Sequence, residues 1–329
     1  MKVIITGGAG FIGSHLSEKL VKNVKVKKII IIDDLQDGSK KNLKNILKNK
    51  KIKLVKKDIR NFAKIKNYFK NIDCVFHLAA IADIVPSIVN PKDYLDTNFG
   101  GTINVLEAMR AHKVKKIIYA ASSSCYGITP VKKISETYNI STLYPYSLSK
   151  YLGEKALIHW SNVYGIDFIS LRLFNVYGPR SRTTGAYGAV IGVFLKQKLS
   201  NKPLTIVGDG KQTRDFVNVD DVSDAFIKAC FSKVKNEVFN VGTGRPNNIN
   251  KLAKIIGGKK IFIPKRPGEP LTSKADIRKI KKFLNWKPKI SFEKGVSELL
   301  LNINYWKSAP LWSKNKIKKA TKVWFDYLK

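Results

Sequence analysis

Thr6-Gly7-Gly8-Ala9-Gly10-Phe11-Ile12-Gly13 decides how the first half of this chain folds. It follows the β-branched run Val3-Ile4-Ile5-Thr6 and opens the helical stretch His15–Val21. Two overlapping patterns lie in it: Gly-x-Gly-x-x-Gly (Gly8, Gly10, Gly13) and Gly-x-x-Gly-x-x-Gly (Gly7, Gly10, Gly13). Glycines at this spacing permit a tight strand-to-helix turn, let the backbone approach a pyrophosphate and let the helix pack close to the strand. The helix start supplies unpaired N–H groups and the positive end of a helix dipole, which suits a phosphate. Gly7, Gly10, Phe11, Ile12 and Gly13 are therefore candidate cofactor contacts.

The next strand-like run, Lys28–Ile32, leads to Asp33, 20 residues after Gly13. A carboxylate in that register accepts hydrogen bonds from the adenosine ribose hydroxyls and repels a 2′-phosphate, which favours NAD over NADP. Asp34 fits either the cofactor edge or a plain turn. Asp58 and Ile59, after the third run, border an adenine or only shape a turn, and spacing alone does not separate the two.

Outward from this loop, short runs rich in β-branched residues alternate with helical stretches. Val3–Thr6, Lys28–Ile32, Lys53–Val55, Cys74–His77 and Lys116–Ala120 read as buried parallel strands. His15–Val21, Phe62–Phe69, Tyr94–Ala111 and a long stretch from about Tyr144 to Val163 read as helices, followed by a strand at Phe168–Leu173. The alternation predicts an α/β fold, a doubly wound parallel sheet of Rossmann type. After Asn175 the pattern loosens, which places an NAD-binding domain at 1–175 and a smaller C-terminal α/β substrate-binding domain at 176–329. Segments near 216–241 are expected to return and pack on the first domain. The tail from Trp306 interleaves aromatics with lysines and is expected to dock as a helix rather than lie on an anionic membrane.

The 329 residues are 44% apolar, enough for a packed core. Apolar runs are short and strand-like, as in Ile29–Ile32, so no membrane span is expected. The start of the chain shows no signal-peptide pattern. Three scattered cysteines and four scattered histidines offer neither a disulfide framework nor a metal cluster, and a reducing cytoplasm is the expected location. The net charge of +37 raises the question of a nucleic-acid or membrane partner. Only nine of the 61 basic residues are arginine, however, and the lysines are spread over the chain. That distribution reads as a solvated lysine-rich surface, with no specific nucleic-acid partner.

Tyr146-Ser147-Leu148-Ser149-Lys150 places a phenol and an ammonium on one helix face. A free tyrosine has a pKa of about 10, and lowering it to 7 needs roughly 4 kcal/mol of differential stabilisation, which a neighbouring cation can supply. The bare pattern more often marks a solvated lysine lying along a tyrosine. Ser122-Ser123-Ser124, after the fifth strand, stands where open α/β sheets bind ligands, although serines there also simply cap turns.

Taken in order, the glycine loop, Asp33, His77-Leu78-Ala79-Ala80, Asn98, Ser122–Gly127, Tyr146/Lys150 and Leu171–Pro179 resemble the extended short-chain dehydrogenase/reductase family, specifically its nucleotide-sugar (UDP-hexose) 4-epimerases. Gly208–Gly210, Arg214-Asp215-Phe216 and Arg266-Pro267-Gly268-Glu269 extend the likeness, which runs to about residue 305. The resemblance implies Tyr146 as acid/base, Lys150 on the nicotinamide ribose and lowering the Tyr146 pKa, and Ser122 orienting the sugar hydroxyl. It places Leu78, Ala79, Ala80 and Asn98 around NAD, and Asn175, Arg214 and Arg266 on the substrate diphosphate. Ser123 and Ser124 stand where the family's 4,6-dehydratases carry an Asp-Glu pair and its decarboxylases a Glu, which leaves reversible oxidation at C4. Ser273 stands where narrow sugar pockets carry a tyrosine, so a UDP-sugar bearing an N-acetyl group is expected to fit; a helix N-cap is the plain alternative for that serine. A UDP-glucuronate 4-epimerase is the nearest rival, a non-catalytic basic NAD-binding module the more distant one, and a homodimer is expected by the same likeness.

Overall fold

The computed structural model describes residues 1–131, 133–181, 189–265 and 269–328. Its centre is a seven-stranded parallel sheet: β1 (Lys2–Thr6), β2 (Lys28–Asp33), β3 (Ile52–Lys56), β4 (Cys74–His77), β5 (Lys116–Ser122), β6 (Asp167–Leu173) and β7 (Glu237–Val241), in the order β7-β6-β5-β4-β1-β2-β3. The α/β doubly wound fold is therefore as the alternation implied. The central strands are buried on both faces, which explains their unbroken apolar runs. Val3, Ile5, Phe76 and Ile118 enter the core on one face. Ile4, Val75, Ile117 and Tyr119 enter the core on the other. Each such side chain fully buried contributes about 1.5–3 kcal/mol.

β1 lies between β2 and β4, with Thr6 opposite both Ile32 and His77. The strand order reverses there, and the crevice beyond the strand ends is where such sheets take ligands. Helix Phe11–Lys22 follows β1, and helix Pro145–Tyr164 leads into β6. The latter starts with Pro145 at its first position, the Ser147 hydroxyl donating to Tyr144 O at 2.7 Å, and it ends at Gly165 in the left-handed conformation.

Two helical stretches differ from the sequence expectation. Phe62–Phe69 is one α-helical turn, Phe62–Ile65, continued as a 3-10 turn, Lys66–Phe69. The stretch at Tyr94–Ala111 contains a π-helical segment, Leu95–Gly100, before regular helix resumes at Gly101. Apolar periodicity does not distinguish these windings over single turns.

The second lobe has its own core of Phe194, Leu204, Ile206, Leu252, Val296 and Trp306. Short strand pairs frame it: Asn175–Tyr177 with Phe216–Asn218, and Leu204–Val207 with Lys260–Ile263. Helix Val219–Phe231 then packs on helix Phe11–Lys22, and β7 joins the large sheet beside β6. The tail docks as two short helices, Lys314–Ala320 and Lys322–Tyr327. Among the described residues no helix is long and apolar enough to cross a membrane.

Candidate active site

The glycine loop leaves no room for side chains. Gly7 has φ +70°, and a Cβ on it would lie 2.7 Å from Ala79 N. A Cβ on Gly13 would meet Gly7 O at 2.2 Å. The turn from β1 into the helix is thus pressed against the Leu78–Ala80 segment that follows β4. Gly10 is the helix N-cap and provides no side-chain cap, so the first-turn N–H groups face the crevice without one.

Asp33 ends β2 and is only 6% exposed. Its Oδ2 accepts from Ala9 N and its Oδ1 from Leu35 N, both at 2.9 Å. Burial pushes its pKa up, and these two N–H groups oppose that shift. Asp34 accepts from Gln36 N at 3.1 Å, the geometry of a turn residue. Asp58 is held below the usual carboxylate range by Arg60, against burial, with Arg60 Nε donating at 2.8 Å. Ile59 is buried in the core.

Asn98 sits in the π-helical segment and is 1% exposed. Its Oδ1 accepts from Ile81 N at 2.7 Å, and its Nδ2 donates to Ile81 O at 3.0 Å and Ser149 Oγ at 2.9 Å. It therefore clamps the loop after β4 to the helix that carries Tyr146. His77 lies between Thr6 Oγ1 at 2.6 Å and Thr102 Oγ1 at 2.9 Å. Burial, with the Lys150 charge adding, brings its pKa down to about 3, so it is a neutral structural link.

Ser122 and the Tyr146 phenol line the same cavity wall, and the Ser122 hydroxyl acts to lower the phenol pKa. It also accepts from Ser124 N at 3.2 Å, so it caps its turn as well. Ser124 Oγ lies 2.8 Å from Ser122 Oγ. Burial raises the Tyr146 pKa, the Ser122 hydroxyl opposes this, and the charges of Asp83 and Cys125 raise it further. Lys150 is 4% exposed, with Nζ 4.3 Å from the centroid of the Tyr119 ring. Burial lowers its pKa to about 7, and Glu154 opposes that. The lowering of Tyr146 expected from Lys150 is not among the influences acting on the phenol.

A cavity of about 470 Å³ opens beside these groups, between the lobes. Ser122, Ser123 and Ser124 line it from the end of β5, Tyr146 from the start of its helix, and Asn175, Arg214 and Ser273 from the second lobe. Arg214 is oriented by Glu269 Oε1 at 2.7 Å and Pro270 O at 2.7 Å. Ser273 N donates to Thr213 O at 3.2 Å, and the next helix starts only at Arg278, so the N-cap alternative is not what the serine does. Arg266 lies outside the described residues.

Among the residues of this cavity that sequence reasoning missed are Asp83 and Trp324. Asp83 lines it from the loop after β4 with φ +79°, a conformation that is rare outside glycine and costs on the order of 1–3 kcal/mol. Trp324 reaches it from the tail, its ring 6.2 Å from that of Tyr144. Local sequence carries no sign of either. Among the described residues there is no cluster able to hold a metal ion.

The crevice suits an adenine dinucleotide: a side-chain-free turn, an uncapped helix start, and a buried carboxylate at the end of β2. The family model for the NAD dependent epimerase/dehydratase family matches residues 3–242. The chain is 39% identical over 306 residues to a putative UDP-glucose 4-epimerase of Methanocaldococcus jannaschii, covering 91% of this chain and 97% of that one. Among solved structures, it is similar to UDP-N-acetylglucosamine 4-epimerase from Methanobrevibacter ruminantium in complex with UDP-N-acetylmuramic acid. The TM-score is 0.86 and the identity 32%, over 93% of this chain and 98% of that one. UDP-glucuronic acid 4-epimerase from Bacillus cereus, in complex with UDP-glucuronic acid and NAD, gives a TM-score of 0.85 at 32% identity, over 94% and 99%.

Proposed function

The chain belongs to the NAD dependent epimerase/dehydratase family, with NAD as its cofactor, and from that premise we propose that it inverts C4 of a UDP-hexose through a 4-keto sugar. The observation that carries this reading is that Ser122 and Tyr146 line one cavity together with Ser123 and Ser124, which are not acids. Ser123 and Ser124 carry no acid that could assist loss of water or of carbon dioxide.

In this reading Gly7, Gly10, Phe11, Ile12 and Gly13 hold the dinucleotide phosphates, and Asp33 holds the adenosine ribose. Leu78, Ala79 and Ala80 line the same crevice, Asn98 fixes its wall, and Asp34, Asp58 and Ile59 border its adenine end. Lys150 holds the nicotinamide ribose. Bound NAD would supply a reversible hydride acceptor for C4. Tyr146 Oη receives the O4 proton and later gives it back, and Ser122 orients the O4 hydroxyl. Inversion requires the keto sugar to present its other face, so Asn175, Arg214 and Arg266 keep the diphosphate in place meanwhile, arginine being suited to phosphate as a bidentate donor.

Ser273 leaves space beside the sugar, which supports UDP-N-acetylglucosamine/galactosamine as substrate alongside, or in place of, UDP-glucose/galactose. A homodimer belongs to this reading on the family resemblance, and a reducing cytoplasm on the three scattered cysteines.

Incubation of the NAD-loaded protein with UDP-glucose, UDP-N-acetylglucosamine and UDP-glucuronate, followed by NMR of the C4 stereochemistry, tests the reading. Inversion of a neutral hexose is expected. Inversion of UDP-glucuronate alone would replace it with the uronate reading. A Ser273→Tyr variant that keeps full activity on the acetylated sugar would remove the pocket argument.

A further inference from the structure

The family likeness ends near residue 305, yet the chain continues as an aromatic, lysine-rich tail. The tail is anchored on the second lobe. Lys196 Nζ donates to Lys307 O at 2.6 Å, and Gln197 Nε2 donates to Trp312 O at 2.7 Å. Trp306, Ala309 and Ile317 are buried in the core of that lobe. Buried Thr321 then turns the chain, its hydroxyl donating to Ile317 O at 2.9 Å. Helix Lys322–Tyr327 leaves this lobe and packs on helix Ile84–Val89, which follows β4 in the first. The tail therefore links the two lobes beside the cavity.

Along that last helix the aromatic residues are sorted by role. Phe325 and Tyr327 are 40% and 73% exposed, whereas Trp324 is 5% exposed and lines the cavity. Its ring lies 6.2 Å from Tyr144, at an interplanar angle of 46°. Tyr144 is two residues from Tyr146, and Asp83, Ile84 and Val85 border the cavity under the same tail helix. The two rings thus border the cavity at the start of the helix that carries Tyr146. Arg214, assigned to the diphosphate and oriented by Glu269, comes from the second lobe.

We propose that Trp324 is a specificity-determining residue: with Tyr144 it forms an aromatic wall, supplied by the C-terminal tail, against which the hexosyl group of the nucleotide sugar packs. The proposal rests on the reading that a UDP-hexose occupies this cavity. A hexose has apolar C–H faces as well as hydroxyls, and ligand pockets meet such faces with aromatic side chains while a few polar groups fix orientation. A wall of this kind acts on the sugar and leaves the nucleotide untouched.

Titration calorimetry of the NAD-loaded full-length protein, with UDP-glucose and UDP as probes, separates the two halves of the ligand. Trp324→Ala is expected to weaken UDP-glucose about tenfold and to leave UDP within twofold; Trp324→Phe should recover most of the loss, and Phe325→Ala should change neither. Equal loss for both probes would make the tail merely structural and overturn the proposal. So would unchanged binding, or tighter binding of UDP-glucose, which would mean that the ring stands where the sugar belongs. The binding readout does not depend on whether the sugar is inverted. A protein that binds UDP-glucose in a Trp324-dependent way but inverts no sugar would refute the proposed reaction and leave the wall standing.

Discussion

The Lys150 ammonium lies 4.3 Å from the centroid of the Tyr119 ring, in a part of the protein from which water is nearly excluded. Burial brings its pKa from 10.5 down to about 7. Between those two values the unfolded chain binds more protons than the folded one, so stability rises with pH across that window. The cost of the buried charge is fully present below about pH 7. Lys150→Met, which has no proton to gain, should therefore raise the melting temperature relative to the parent more at pH 6 than at pH 10. A difference that does not change with pH would show that Lys150 keeps an ordinary pKa.

Asp83 adds its negative charge to the burial that already raises the Tyr146 pKa. Asp83→Asn removes that charge and should lower the phenol pKa. If Tyr146 is the base, the rising limb of the kcat/KM profile moves to lower pH in the variant. A limb that stays in place, or moves up, contradicts the assignment.

Asp33 fixes Ala9 N and Leu35 N through its two oxygens. Asp33→Asn offers an NH₂ where one oxygen accepted. Hydrogen bonds to charged groups contribute about 1.5–3 kcal/mol, so NAD affinity should fall roughly ten- to hundredfold by equilibrium titration. Unchanged affinity would place the adenosine ribose elsewhere.

Glu154 and Arg172 form a buried ion pair, with Arg172 Nη2 2.5 Å from Glu154 Oε1 and Arg172 Nη1 2.8 Å from the Tyr126 hydroxyl. Glu154→Gln leaves the guanidinium charged in the core without its counter-ion. Urea unfolding should show a loss of about 3–5 kcal/mol. A loss below about 1 kcal/mol would mean that water reaches the pair.

Much of this architecture is legible in the sequence because it rests on local rules. Val3–Thr6 and Ile29–Ile32 are β-branched and buried on both faces, and a side chain on Gly7 or Gly13 would collide with backbone. Asp33 is legible because its distance from Gly13 is set by one helix and one strand. What stays hidden depends on tertiary packing. The π-helical turn that aims Asn98 at Ile81 and Ser149 has no periodic signature. Asp83 takes a left-handed conformation that no neighbouring residue announces. Trp324 comes from a tail whose helices are too short to stand alone and form only on the second lobe and helix Ile84–Val89. The resting state of Tyr146, raised by burial rather than lowered by Lys150, reflects desolvation that sequence spacing does not report.

The decisive comparison is between the parent protein and Tyr146→Phe, each incubated with NAD and either UDP-glucose or UDP-N-acetylglucosamine while NMR follows the C4 proton. General acid/base catalysis contributes about 10²- to 10⁴-fold, so the parent should reach a mixture of C4 epimers and the variant should be slower by at least a hundredfold with the nucleotide still bound. Inversion at the parent rate by Tyr146→Phe would contradict the assignment of the phenol as the group that moves the C4 hydroxyl proton.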